Sequence, residues 1–403
     1  MSLVGIFGLL LALAAVFVAD LRRDRRRIAV FALLLVLHTA MCLLFYVFAE
    51  ASGSDAQFYY YDPGRWRGAS GFGTVFLVNL IQFLRDSFGG SFLDYFMIFN
   101  AIGFWGLVMM MLVMQETFAD LDLRVPTLAY LTLFLPGLHF WTGFIGKDAP
   151  LFFAIALSIW AAMRIQRRYL AFGIAVAIML LFRPHIALVA LVAVAAAVIL
   201  DKRTKLILKA GMIAGALAAG AIAIPDLQTT YRLDLGNADS VSEFVAERSA
   251  VTEESGGDAM LMNAGLPFKI LSLWSRPFFF DADAMLAYAA SVENAALLAI
   301  MALILFSFRS TWAAFRMVLH VRYSAFLFVA ITLLIAAVNF NVGLGLRQKM
   351  MAMPALLAIF SAVLAVRMAR ARHAAALEQA ALRAPARPSF SPSALGPPQL
   401  RHP

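Results

Sequence analysis

Cysteine and charge are both scarce in this chain of 403 residues. Its single cysteine, Cys42, excludes an intrachain disulfide and a thiolate metal cluster. Charged residues make up 14% of the chain, whereas 63% of the residues are hydrophobic. Soluble domains carry roughly 25% charged residues, and the mean hydropathy here is +0.83. So much apolar surface requires lipid as its solvent, so the composition predicts a polytopic membrane protein.

Motifs for nucleotide and common metal chemistry are also missing. The sequence contains no Walker A, H-E-x-x-H, G-x-S-x-G or EF-hand pattern, and the glycines of GASGFG at 68–73 belong to no βαβ unit. The net charge of +9 comes from basic residues in loops, which is typical of the positive-inside bias of membrane proteins. We therefore expect no cofactor and no nucleic-acid partner.

Apolar runs separated by polar breaks predict an all-α, polytopic bundle of about eleven transmembrane helices. Two runs, at 149–163 and 169–183, are shorter than a bilayer usually requires, so their ends should lie inside the protein. The predicted helices are 2–19, 28–49, 91–114, 125–146, 149–163, 169–183, 186–200, 206–224, 287–307, 323–340 and 350–366.

The distribution of basic residues predicts the orientation. With these helices, Lys and Arg fall about two to one on the side that carries the stretch DLRRDRRR at 20–27. That side should be cytoplasmic, which places the N-terminus outside and the C-terminus inside. The predicted transmembrane domain is 1–366. Its outer loops, 50–90 and 225–286, should carry short amphipathic helices, and 367–403 should be a mostly disordered cytoplasmic tail.

Five basic residues on the predicted outer side stand out, and four of them lie within a few residues of a helix end. They come from separate segments of the chain: Lys147, Arg183, Arg276, Arg347 and Lys349. Snorkelling to a lipid headgroup or a local ion pair accounts for any one of them alone. Their shared side and charge favour a cavity for an anionic, membrane-tethered ligand such as a lipid phosphate or diphosphate.

The first outer loop adds an acid and a set of aromatic residues. The stretch SDAQFYYYDPGRW contains Asp55, Tyr59, Tyr60 and Trp66. For each aromatic side chain an ordinary interfacial belt stays open as an alternative. His185 follows Pro184 in LLFRPHIAL and satisfies a backbone carbonyl under the simpler interpretation.

Four segments resemble a known pattern: HFWTGFIGKDAPLFF, LLFRPHIAL, WSRPFFFDADAMLAYAASVENAALL and NFNVGLGLRQKMMAMP. Together they resemble bacterial exopolysaccharide or O-antigen polymerase-like membrane proteins, within the GT-C-like class of lipid-dependent glycosyltransferases. The resemblance implies a glycosyltransferase or polymerase that uses polyprenyl-linked saccharides at the outer face of the bacterial inner membrane. It also implies contacts with membrane lipid and with other polysaccharide assembly proteins.

Under this hypothesis negative charge builds up on a leaving polyprenyl diphosphate and needs no metal. Asp55 is the first candidate for the base and His185 the second. The remaining roles are as follows: Arg183, Arg276, Arg347 and Lys349 bind phosphate; Tyr59, Tyr60 and Trp66 stack on sugar rings; and Lys147 with Asp148 shapes the site. Two alternatives stay open: a flippase or exporter of lipid-linked saccharide, and a non-catalytic scaffold of an envelope polysaccharide assembly complex.

Overall fold

The computed structural model is helical throughout its described residues and contains no strand among them. These residues are 2–19, 24–202 and 204–231 apart from 63, 67 and 70, separate positions between 237 and 247, and 258–383 apart from 283 and 340. The predicted all-α class is confirmed for this part of the chain. The predictions for most of 232–257 and for the tail after Arg383 lie outside it.

The helices are numbered in chain order. They are α1 Leu3–Ala14, α2 Arg25–Ser52, α3 Asp55–Tyr61, α4 Thr74–Phe88, α5 Phe92–Ala119, α6 Thr127–Leu131, α7 Pro136–Thr142, α8 Asp148–Met163, α9 Ile165–Phe182, α10 Pro184–Ile199, α11 Leu206–Tyr231, α12 Ala259–Met262, α13 Leu266–Ser275, α14 Met285–Phe306, α15 Phe308–Met317, α16 Leu319–Val338, α17 Val342–Gln348 and α18 Met353–Arg383.

Six helices in the described part of the chain are long and apolar enough to cross a membrane. Their spanning segments are Arg25–Ala51, Phe92–Ala119, Ile165–Phe182, Met285–Phe306, Leu319–Val338 and Met353–Ala380. Shorter apolar helices, including α8 and α10, lie between them. The chain is therefore a multi-pass helical membrane protein by the length and composition of its helices.

Helix α5 lies at the centre of the bundle, where α1, α2 and α8 pack around it. Its two interior glycines face their neighbours directly: Gly103 lies against the Thr142 carbonyl, and Gly106 lies against the Phe152 ring. Small residues of this kind allow helices to approach closely, which is how helices associate in lipid. The close approach fixes α7 and α8 relative to α5.

The prediction of one helix over 125–146 is wrong. The chain forms α6, a 3₁₀ turn at Thr132–Phe134 and then α7, which begins at Pro136. Leu135 has an extended ψ of 124°, because the ring of a following proline disfavours the helical conformation. The break allows α7 to pack against α2 and α14. The predicted last helix, 350–366, is instead the first part of α18.

Ionic contacts mark the two ends of the bundle. At one end Arg168 pairs with Glu116 at 2.9 Å and Arg322 pairs with Asp201 at 2.8 Å. The other end, which we call the site end, carries Asp55, Asp148 and the start of the chain. There the backbone N–H of Ser2 donates to Asp94 at 3.2 Å.

Candidate functional site

An ionic cluster forms at the site end from Asp55, Lys147, Asp148, Arg183 and Arg347. The Arg347 Nε donates to Asp148 Oδ2 at 2.6 Å, and its Nη1 donates to Asp55 Oδ2 at 3.0 Å. Arg183 Nη2 reaches the other oxygen of Asp148 at 3.4 Å. One guanidinium therefore bridges two carboxylates, and one of those carboxylates bridges two guanidinium groups.

Local turns bring these side chains to the cluster. Helix α2 ends at Ser52, and the next residue, Gly53, has a φ of +75°, a conformation that glycine adopts readily. The chain then turns into α3, and Asp55 is the first residue of that helix. Asp148 is likewise the first residue of α8, where a negative charge is favoured by the exposed backbone N–H groups of the first turn.

Helix α4 closes one side of the cluster. Lys147 Nζ donates to Thr74 Oγ1 at 2.9 Å. The preceding Gly73, with φ of +69°, donates its N–H to the Leu181 carbonyl at 2.8 Å. One of the short amphipathic helices predicted for the outer loop 50–90 is thus α4, and it packs against the end of α9 beside Arg183.

The side chains of the ionic cluster differ in how far they are exposed. The Asp148 side chain is 2% exposed and that of Arg347 is 17% exposed, whereas Asp55 is 59% exposed. The Arg183 Nε is buried and has no hydrogen-bond partner among the described residues. With three cationic and two anionic side chains, the cluster keeps one buried free donor and an excess of positive charge, which suits an anionic ligand.

A lateral cavity of about 590 Å³ lies next to the cluster. Its walls come from α2, α7, α14, the segment 276–281 and α17. The lining is mostly apolar and aromatic, with Arg276, Asp281 and Glu293 as its charged members. Leu44 and Leu286 line the cavity and are half exposed on the outer surface of the bundle, so the cavity borders the lipid-facing surface. We call it the lateral cavity.

A second polar network, apart from the ionic cluster, lies at the charged end of the lateral cavity. Arg276 donates from Nη1 to Asp258 at 2.6 Å and from Nε to Asp281 at 2.7 Å. Lys349 Nζ donates to the Asn294 side-chain oxygen. The Asn294 amide donates in turn to the Pro277 carbonyl at 2.8 Å. The network therefore connects α14, the 3₁₀ turn that follows α17 and the loop that follows α13.

The predicted phosphate-binding residues do not form a single group. Arg183 and Arg347 belong to the ionic cluster, whereas Arg276 and Lys349 belong to the second network. Arg347 and Lys349 are two residues apart but point to different partners, because α17 ends at Gln348 and a 3₁₀ turn begins at Lys349. The prediction of one site with four basic ligands is corrected to two adjacent sites. The rings of Phe45 and Phe144 stack between the two sites, with their centroids 4.0 Å apart. Phe45 lines the lateral cavity, and Phe144 lies against Arg347 of the ionic cluster.

The predicted sugar platform is also corrected. Tyr59 and Tyr60 are each 5% exposed, and a buried ring offers no face for stacking on a sugar. The Tyr60 hydroxyl donates to the Gly90 carbonyl at 2.6 Å, and its ring lies under Arg85 at 4.4 Å. Trp66 is half buried against the core. Burial raises the pKa of Tyr59 to about 12, so its hydroxyl stays protonated beside the ionic cluster.

His185, the second candidate for the base, lies close to the cluster at the start of α10. The charges of Arg183 and Lys147 act on its ring. His185 therefore lies within reach of two cations of the ionic cluster, and its role as a base stays a prediction.

The sequence prediction gave no role to three residues that the structure places in the two sites. They are Thr74, Glu293 and Asn294. A signal was present for the last two, since the Glu-Asn pair of SVENAALL is polar within an otherwise apolar run. Thr74 gave none, because its role depends on the docking of α4 against Lys147.

Two buried lysines predict a pH dependence of stability. Burial, assisted by the charge of Arg183, lowers the pKa of Lys147 to about 8. Burial also lowers the pKa of Lys349 to about 8, against the opposing charge of Glu293. An unfolded lysine titrates near about 10.4, so between these values the unfolded chain binds more protons and stability rises with pH. We expect the unfolding midpoint in detergent to increase from pH 7 to pH 10.

Lys147→Met and Lys349→Met should each reduce that slope and raise the midpoint at pH 7. Lys202→Met, at an exposed position, is the matched control and should keep the slope of the parent protein. Midpoints measured by intrinsic fluorescence across the pH series test this. A Lys147→Met variant with the parental slope contradicts the assignment.

Within the described residues no group of three or more His, Cys, Asp or Glu side chains is placed to hold a metal ion. No protein-family model, curated protein or solved structure matches the chain.

Proposed function

We propose that the protein is a membrane glycosyltransferase that transfers saccharide from a polyprenyl diphosphate at the outer face of the bacterial inner membrane. The observation that carries the proposal is the lateral cavity. An apolar hollow that borders lipid and ends at Arg276 fits an amphiphile with a long hydrocarbon chain and an anionic head. Sequence resemblance to exopolysaccharide and O-antigen polymerase-like proteins supports the same substrate class.

The donor binds with its polyprenyl chain in the lateral cavity. Arg276 uses Nε and Nη1 for Asp281 and Asp258, which leaves Nη2 to approach a phosphate oxygen. The paired carboxylates hold the guanidinium in place before the substrate arrives. A prepositioned cation stabilises the charge that develops on the leaving diphosphate at little cost in reorganisation.

The ionic cluster takes part on the saccharide side. Asp55 is its exposed member, and its Oδ1 is available to hydroxyl groups while Oδ2 stays on Arg347. Arg183 offers its buried Nε to an anionic or carbonyl oxygen. The cluster thus binds the polar part of a substrate whose apolar part occupies the lateral cavity.

The proposal includes a topology of eleven passes, in which α1 and the α6–α7 pair also cross. Ser2 lies beside Asp94 at the site end. At the opposite end Arg168 and Arg322 form ion pairs, and Arg26 donates to the Val125 carbonyl. The positive-inside rule then makes the site end external. Cysteine accessibility labelling at Ser87 and at Arg167 tests this orientation.

Replacing Arg276 by alanine is the sharpest test of the function. We expect a loss of turnover of about 10²–10³-fold, because one charge-stabilising donor is removed. The assay uses purified protein in proteoliposomes with synthetic polyprenyl-diphosphate disaccharides that differ in their sugars, and mass spectrometry detects extended glycans. Arg168→Ala, at the opposite end, is the matched control and should retain transfer. No product from the parent protein with any donor counts against the function.

Transport of lipid-linked saccharide is a second candidate, favoured by polar groups inside the bundle. His38 lies 3.1 Å from the Asn100 carbonyl and 5.4 Å from the His139 ring. Among the described residues, the Nδ1 atoms of both histidines have no hydrogen-bond partner. Buried polar groups in a membrane often mark a pathway. Translocation of a fluorescent polyprenyl-linked saccharide in the same liposomes, without a change in product mass, would favour this candidate.

A further inference from the structure

Glu293 is a buried acid that has no role so far in the proposed function. It lies on α14 within an apolar span and is 4% exposed. A carboxylate at that depth is costly and is kept where it serves a site. It lines the lateral cavity together with Arg276.

The backbone places Glu293 next to Arg276. Asn294, the following residue, donates to the carbonyl of Pro277, which itself follows Arg276. The carboxylate and the guanidinium therefore face the same cavity from adjoining segments. Asp55, by contrast, is absent from the cavity lining among the described residues, and one of its oxygens is held by Arg347.

Contacts with α7 and with the second polar network surround the Glu293 carboxylate. The Gly137 N–H donates to Oε2. Lys349 exerts a positive charge on Glu293, but its ammonium group donates to the Asn294 side chain. Among these contacts Oε1 receives no hydrogen bond, so it can accept one from a substrate hydroxyl.

We propose that Glu293 is the catalytic base of the glycosyl transfer, an assignment that rests on the proposed function. The acceptor hydroxyl oxygen attacks the anomeric carbon of the donor while its proton moves to Glu293 Oε1. The bond between that carbon and the phosphate oxygen breaks, and its electron pair leaves with the diphosphate. The new glycosidic bond, the protonated Glu293 and the diphosphate balance the step, and the proton then passes to water.

Gly137 is a positioning residue for this base. A Cβ at this position would run into both carboxylate oxygens of Glu293. Glycine therefore allows the carboxylate to approach the backbone N–H. We expect Gly137→Ala to displace the carboxylate and lower turnover while the acceptor concentration for half-maximal rate changes little.

Glu293→Gln and Glu293→Ala test the assignment. Glutamine keeps an oxygen for the Gly137 N–H but does not accept a proton, so we expect a loss of turnover of about 10²–10⁴-fold. Farnesyl diphosphate should still shift the unfolding midpoint of Glu293→Gln as it shifts that of the parent protein. In Glu293→Ala, added formate should restore part of the turnover, a response that a merely structural role would not produce.

Glu116→Gln, an acid-to-amide change at the opposite end, is the matched control and should keep turnover within about threefold. An active parent protein with a fully active Glu293→Gln overturns this assignment and leaves the proposed function standing. Absence of formate rescue with an inactive Glu293→Ala also overturns it. A parent protein that transfers no sugar removes the proposed function itself.

Discussion

Replacing Arg347 by alanine is expected to lower the free energy of unfolding by about 3–5 kcal/mol. The reason is that Asp148, 2% exposed, loses its closest counter-charge, and removal of one partner of a buried pair leaves an uncompensated charge. Arg183, at 3.4 Å, neutralises it only in part. Denaturant titration in detergent micelles, followed by tryptophan fluorescence, measures the change.

The control for Arg347 is Arg164→Ala at the opposite end. Arg164 pairs with Asp120 at 3.1 Å and with Glu116 at 3.4 Å, and its own side chain is 43% exposed. Exposed pairs contribute only about 0–1 kcal/mol. In the Arg347→Ala background, Asp148→Asn should recover much of the lost free energy of unfolding, because it removes the unpaired charge. Equal stabilities of Arg347→Ala and Arg164→Ala would contradict the buried role of the cluster.

Replacing Gly103 by alanine is expected to separate α5 from α7. A Cβ at this position would overlap the Thr142 carbonyl, with His38 Nε2 also close. A backbone carbonyl does not move aside as a flexible side chain does, so we expect a destabilisation at or above the usual overpacking cost of about 1–3 kcal/mol. The unfolding midpoint and the retention volume in detergent report the change.

Gly173→Ala is the matched control for this substitution. Gly173 also lies inside a helix, α9, but nothing stands within 4 Å of a Cβ built there. Alanine in such a position should stabilise the helix by roughly 0.5–1 kcal/mol. The two substitutions should therefore change the free energy of unfolding in opposite directions. A change in the same direction would contradict the close contact between α5 and α7 at Gly103.

Periodicity and hydropathy sufficed for the class of fold and for several helix positions. The predicted span 149–163 corresponds to α8 and 186–200 to α10 within two residues at either end, because long apolar runs between charged breaks leave few choices in lipid. The same reasoning failed at 125–146. There Pro136 interrupts an apolar run, and hydropathy is insensitive to the backbone dihedral that a proline imposes on Leu135.

The sequence predicted which types of residue belong to the candidate site, but not which of them contact one another. The unexplained basic residues do lie in ionic or polar networks. Which acid each one meets depends on contacts between residues 199 and 292 positions apart, as for Arg347 with Asp148 and Asp55. Glu293 was visible as a lone acid in an apolar run, yet its meeting with Gly137 depends on the break before α7.

The sequence by itself determined a helical, multi-pass membrane protein with several basic residues near helix ends. The reason is that the cost of exposing apolar surface to water, or charge to lipid, acts on each segment separately. Only the tertiary structure decided the division of Arg347 and Lys349 between two sites and the burial of Tyr59 and Tyr60. Those outcomes depend on how neighbouring helices pack, and close packing is settled jointly by residues that are distant in the chain.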